Sequence, residues 1–210
     1  MPVITISRMF GCGGSEIADL VARQLGWKLL DNAFIEGVAG RLGTTPAHVE
    51  SIEERVPTLA ERIADALTFG SPEMVSASLT TPMPPTEERV FEVTRRMIDE
   101  TLARGSAVLV GRGAQSYLEF REDALHVLCC AQLEAMVARV AARESISREQ
   151  AEALVREKNH QREQYVKRHW GRNWLAPEHY HLCLNTGWLG IDVAAELIVR
   201  VAVARFGLSS

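Results

Sequence analysis

The sequence predicts an α/β fold, a single three-layer α/β/α domain spanning residues 1–210, with helices on both sides of a parallel sheet. Two observations carry this expectation. Short apolar runs at Val3 to Ser7, Trp27 to Leu30, Ala107 to Gly111, Leu125 to Cys130 and Tyr180 to Leu184 alternate with helical patterns. Runs that are apolar on both faces suit parallel strands covered by helices. The first run also passes through Arg8-Met-Phe-Gly-Cys-Gly-Gly-Ser15 into a helical pattern, and a strand, a glycine turn and a helix start together form a cradle for phosphate.

Composition bounds the alternatives. At 210 residues with 47% hydrophobic content, the chain can bury one core and gives no sign of a second independent domain. A formal charge of -4 argues against non-specific nucleic-acid or membrane-surface binding, because neither partner is attracted by the overall field. Cys12, Cys129, Cys130 and Cys183 form no C-x-x-C pair, and two of them are adjacent in an apolar run. They read as free thiols of a reducing cytoplasm. Met1-Pro-Val-Ile enters the first strand without a basic leader, and no apolar stretch approaches the roughly 18 residues of a membrane span. The expectation is a cytoplasmic protein.

The elements follow in order. Ile17, Leu20, Val21 and Leu25 form one face of the first helix, which Gly26 stops. Between Thr44 and Glu88 the strand and helix alternation lapses. Thr45-Pro46 and Pro57-Thr58 each open a helix, and Ser71 to Pro85 is a Pro/Ser/Thr-rich loop, so residues 44–88 read as an inserted helical subdomain. Thr86-Glu-Glu caps a helix running to Leu102 or Ala103. Leu133, Met136, Val137 and Val140 make a core-facing stripe. Ser147 with Gln150 is a capping box that opens a highly charged helix from Arg148 towards Arg168, expected to be largely solvated.

Aligned with the Walker A pattern G-x-x-x-x-G-K-[ST], Arg8 stands at the first glycine, Gly13 at the second, Gly14 at the lysine and Ser15 at the Ser/Thr. The backbone of Gly11, Cys12, Gly13, Gly14 and Ser15, with the positive end of the following helix, can hold an anion without a lysine. Losing that cation costs roughly 3 kcal/mol of transition-state stabilisation if an oxyanion-hole donor is a guide, so another cation must replace it. Arg8 is the nearest candidate, and its alternative role is to tie down the loop or a neighbouring carboxylate. Ser15 either ligates Mg²⁺ or caps the helix. Glu16 suits the helix dipole but brings negative charge to the site. Cys12 reads as a small filler, with a thiolate role as the alternative.

Other residues stand where open α/β sheets bind ligands, beyond the strand ends. Arg112 lies between two glycines after an apolar strand and is expected to contact phosphate. Asp31 follows Leu30 and either binds an acceptor, binds Mg²⁺ or caps the next helix. His179 and His181 share a strand face if that segment is extended, but no third metal ligand accompanies them. Asp99 and Glu100 read as solvated, and Asp192 as a decoration of the last helix.

These residues, taken in order, carry a resemblance. The first strand and loop, Asp31 after Trp27-Lys-Leu-Leu, the Gly111-Arg112-Gly113 turn, Arg121-Glu-Asp-Ala124, Arg139 and Arg143, the Lys167-Arg168 to Arg172 segment, and Leu184-Asn185-Thr186 follow the order seen in bacterial cytidylate kinases. The chain resembles the cytidylate-kinase-like branch of the P-loop nucleoside monophosphate kinases, outside residues 44–88. The resemblance implies a five-stranded parallel sheet, ATP with Mg²⁺ at the first loop, an acceptor beyond the strand ends, and a lid near residues 165–178. It implies acceptor-side roles for Asp31, Arg112 and Arg139, and charge stabilisation by Arg168 and Arg172 in the lid. The aspartate of the family's G-R-D turn is Gly113 here, which puts cytidine monophosphate in doubt. Trp170 and Trp174 in the lid segment need a ligand, or a partner subunit in a homo-oligomer, to pack on. Arg162 faces a different direction from Arg168 and is the weaker candidate. The expectation is therefore a phosphotransferase acting on a nucleoside monophosphate or another small acceptor. The alternatives are a non-catalytic nucleotide or phosphometabolite sensor, and an oligomeric interaction protein using Phe69, Met74 and Met83.

Overall fold

The computed structural model describes residues 1–49 and 86–208, the side chains of 32–34 excepted. Strand β1 (Val3–Arg8) leads through the glycine loop into α1 (Gly14–Leu25), and β2 (Lys28–Leu30) leads into α2 (Asn32–Leu42). Helix α3 (Glu87–Arg104) precedes β3 (Ala107–Val110), the short α4 (Ala114–Tyr117) and β4 (Ala124–Cys130). Then come α5 (Leu133–Glu144), α6 (Arg148–Trp170), a 3-10 turn at Pro177–His179, β5 (Leu182–Asn185), α7 (Thr186–Leu189) and α8 (Ile191–Phe206).

Local chemistry sets the helix ends. Thr86 Oγ1 accepts from the Arg89 N–H at the start of α3, and the Ser147/Gln150 capping box opens α6. Gly26 ends α1 in the left-handed conformation.

The five strands order as β2-β3-β1-β4-β5, and every neighbouring pair is parallel. In register, Ile4 lies between Val108 and Leu125. Period-2 alternation then sends successive residues to opposite faces. Ile4, Ile6, Val108, Val110, Leu125 and Val127 pack with Ile17 and Val21 of α1, Val137 and Val140 of α5, and Ile198 of α8. Val3, Ala107, Leu109 and Ala124 point the other way, into Val38 of α2 and Val90, Ile98 and Leu102 of α3. The result is the three-layer α/β/α architecture that the sequence predicts.

One strand boundary differs from expectation by two residues. The last strand begins at Leu182 rather than Tyr180, because Tyr180 closes the 3-10 turn through its N–H to Pro177 O (3.0 Å). That leaves His179 in the turn. His181 stacks on His126 at 4.9 Å and accepts the His126 backbone N–H on Nδ1 (3.1 Å), and no metal-binding cluster occurs among the described residues. Of the 44–88 subdomain, residues 46–49 are helical, with Thr45 Oγ1 accepting from the His48 N–H. The helix at Pro57-Thr58, the loop at 71–85 and Phe69, Met74 and Met83 lie outside the described residues. No described helix is long and apolar enough to cross a membrane.

This topology positions a site. The connection leaving β1 runs to the β2 side and the one leaving β4 runs to the β5 side, so the carboxyl ends of two adjacent strands part and leave a crevice.

Candidate active site

The loop after β1 floors that crevice. Helix α1 starts at Gly14 with Gly13 as its N-cap, left-handed at φ 83° and without a side-chain capping bond. A helix N-terminus capped in this way keeps its first amides and its positive dipole end for a ligand. Gly13 is required on two counts: its positive φ, and the 2.1 Å that a Cβ there would leave to Ile191 Cδ1. Because Gly13 is the cap, Ser15 is not. Ser15 is exposed in the second position of the helix and lines the crevice.

The crevice is a cavity of about 530 Å³ walled by the loop, the β3 turn and one face of α6. Among the described residues its lining holds Arg8, Arg112, Arg143, Lys158 and Arg162 and one carboxylate, Glu16. Lys158, Gln161, Arg162, Tyr165 and Val166 recur at helical spacing on the α6 face that meets the loop. The α6 stripe expected to be solvated is therefore a wall of the site.

Phe10 joins the two halves. Its backbone N–H donates to Asn159 Oδ1 (2.7 Å). Its ring has the Arg143 guanidinium at 5.2 Å and that of Arg162 at 5.5 Å, both within cation–π range. Arg162 Nη1 also donates to the Arg8 carbonyl (2.8 Å). The loop thereby orients two cations of the opposing helices.

Arg8 ends β1 with 17% of its side chain exposed, and its Nη2 lies 3.6 Å from Asp31 Oδ1. Burial lowers the Arg8 pKa, and the Asp31 charge opposes that shift. Asp31 makes no side-chain capping bond to α2 and is absent from the cavity lining. Its visible partner is Arg8. Arg112 lines the cavity with a left-handed backbone, φ 55°, uncommon for a residue with a side chain.

Among the described residues, three of the six buried side-chain polar atoms without hydrogen-bond partners lie in these walls. Arg8 Nε, Gln161 Oε1 and Tyr165 Oη are all in this state, and burial pushes the Tyr165 phenol up to about 12. Each such group costs about 1–3 kcal/mol, a cost that is found at ligand sites. The Cys12 thiol donates to Cys129 O (3.4 Å), and burial raises its pKa. This is the filler role and not a thiolate.

Besides Asp31 and Cys12, three predicted residues stand outside the lining. Arg168 bonds Glu87, which also meets His169 Nε2 at 3.0 Å, and Arg172 bonds Glu119. Neither lines the cavity. Burial pushes the Glu87 pKa upward, but hydrogen bonds from His169 and Arg168 outweigh it and hold the carboxyl below its ordinary value. Arg139 reaches Glu16 at 3.9 Å, from outside the lining. Trp170 packs within the chain, edge-on to Phe91 at 5.3 Å and to Tyr165 at 5.9 Å, and Trp174 is buried in the cavity wall. The sequence does not single out Lys158, Gln161 and Tyr165, and it favours Arg168 over Arg162. Their i, i+3, i+4, i+7 spacing was the available signal.

The sheet order, the glycine loop at the end of β1 and its site at the strand ends define a P-loop kinase-like protein. The chain belongs to the Cytidylate kinase-like family, whose pattern it matches over residues 3–187. Among solved structures it is similar to an uncharacterized protein from Eubacterium ventriosum, with 19% identity over 96% of this chain and 98% of that one, at a TM-score of 0.66. It is also similar to TT1252 from Thermus thermophilus, with 24% identity over 100% and 98% and a TM-score of 0.55. A third is shikimate kinase from Bacteroides thetaiotaomicron, with 12% identity over 99% of each chain and a TM-score of 0.51. At these identities the likeness is one of fold. No curated protein matches the sequence.

Proposed function

We propose that the protein is an ATP-dependent phosphotransferase of the cytidylate-kinase-like type, moving the γ-phosphoryl group to a nucleoside monophosphate or another small acceptor. The observation that carries this reading is the convergence of five cations and an open helix N-terminus on one cavity. Phosphoryl transfer needs positioning and charge neutralisation above all. In this reading the Gly11 to Ser15 backbone holds the donor phosphates, and Arg143, Lys158 and Arg162 close over them from the helices. Arg112 faces the acceptor. The Ser15 hydroxyl, exposed in the cavity and not used as a cap, fits one ligand position of Mg²⁺. The ion would neutralise charge on the donor phosphates.

The acceptor end differs from a G-R-D turn in shape as well as charge. A Cβ on Gly113 would lie 2.0 Å from Trp170 Cη2, so an indole fills the room of an aspartate. That favours an acceptor read by Arg112, Gln115, Ser116 and Tyr165 over one read as cytidine.

The test is thermal stabilisation by ATP–Mg²⁺, then coupled ADP release across a panel of CMP, dCMP, UMP and non-nucleotide acceptors. A ligand that binds only the folded state raises the melting temperature. Stabilisation with acceptor-dependent ADP release is the expected result. One observation favours a second reading, a sensor that binds without turnover: glycine occupies the Walker lysine position. Stabilisation without release under any acceptor selects it.

A further inference from the structure

We infer that Arg8 and Gly14 have exchanged roles: the cation of a Walker A loop, carried there on the first turn of the helix, is carried here by the last residue of the preceding strand, and the two positions exclude one another. For the role of the charge this rests on the phosphotransfer reading; for the exclusion it rests on geometry.

In the motif, position 8 corresponds to a glycine and position 14 to the lysine. A Cβ built on Gly14 lies 2.5 Å from Arg8 Cβ and 2.8 Å from Arg8 Cγ. These atoms are the root of the arginine side chain. Their place is fixed by β1, where Arg8 pairs in register with Cys129, so swinging the guanidinium away does not relieve the clash. A side chain at 14 therefore requires none at 8, and the reverse holds as well.

From there Arg8 spans the gap between the loop and the acceptor side. Its Nη1 would lie 1.8 Å from a Cβ on Gly111, and its Nη2 approaches Asp31 at 3.6 Å. The guanidinium thus stands between the helix N-terminus and the Arg112 turn, with Nε buried and unpaired. A phosphoryl group crossing from loop to acceptor passes this point. Arginine suits it better than lysine, because a buried ammonium loses its proton readily and a guanidinium does not. Asp31 is then a positioning residue that sets the arginine's direction.

The experiment is calorimetric titration of inorganic tripolyphosphate, with Tm in parallel, on the full chain and its R8Q, R8G, G14K and R8G/G14K variants. R8Q keeps most of the bulk and removes the charge. It should bind about 30-fold more weakly. G14K should lower Tm by about 5 °C from overpacking and weaken binding about tenfold. R8G/G14K should recover binding to within about threefold of wild type, and its loss of Tm should be smaller than the R8G and G14K losses added together. A G14K protein as stable as wild type, or additive Tm losses, overturns the exclusion. Unchanged binding in R8Q overturns the role of the charge. Wild-type protein that binds no tripolyphosphate brings down the phosphotransfer reading itself, and the Tm cycle then decides the exclusion alone.

Discussion

Helix α6 turns Lys158 and Arg162 onto the glycine loop, whereas Arg168 near its end and Arg172 beyond it turn onto Glu87 and Glu119. The four residues are alike in charge and close in sequence. They differ in what they meet. Arg168 and Arg172 are held by carboxylates that keep them out of the cavity lining. Arg162 donates to the Arg8 carbonyl and lies against the Phe10 ring, contacts that aim it at the loop. Location relative to the cavity, more than basic content, separates the two pairs.

The largest effect that can break this contrast is at Arg162. R162A should lower kcat/KM for ADP release about 100-fold, while R168A stays within about threefold of wild type. Equal losses would erase the distinction. F10A should follow with a loss of about tenfold, because both Arg143 and Arg162 lose the ring that orients them. A KM change without a kcat change would limit the ring to donor binding.

Smaller effects belong to the latch and are effects on stability. E87Q should cost about 1 kcal/mol in urea denaturation at pH 7, its partners being only about a quarter exposed or less. Its pH dependence has a definite sign. The folded-state pKa of Glu87 lies below the ordinary carboxyl value of 4.5, so its contribution is present above that value and lost as pH falls through the folded pKa. The difference between wild type and E87Q should therefore be level above about pH 5.5 and shrink below 4.5. A difference that grows on acidification would refute the pairing. R172A should have the smallest effect, under about 1 kcal/mol with unchanged ADP release.

Much of this molecule is legible in its residues. The five apolar runs became the five strands within about two residues, because runs buried on both faces have few other places to go. The Ser147/Gln150 box and the Thr86 cap act over three residues and were readable as such. The glycine loop, Arg112 at the strand edge and the missing Walker lysine were visible for the same local reason. The side of α6 that faces inward was not. The apolar stripe of Ala151, Leu154 and Val155 gives way beyond them to a cavity face of Lys158, Gln161, Arg162 and Tyr165, whose polar residues carry no apolar periodicity to announce it. Its orientation comes from a loop about 150 residues away, through Asn159 to Phe10 and Arg162 to Arg8.

Sequence by itself therefore determined the fold class, the strand order's raw material and the glycine loop between the first strand and its helix, because each depends on patterns read within one element. Tertiary structure alone decided which cations stand beside that loop. It turned Arg8 across Gly14 towards Asp31, drew Arg143 and Arg162 onto Phe10, and bound Arg168 and Arg172 to carboxylates. The physical reason is that charge acts through space: a guanidinium's role is set by the nearest oxygen or ring, and in a parallel sheet with long crossovers those neighbours come from distant parts of the chain.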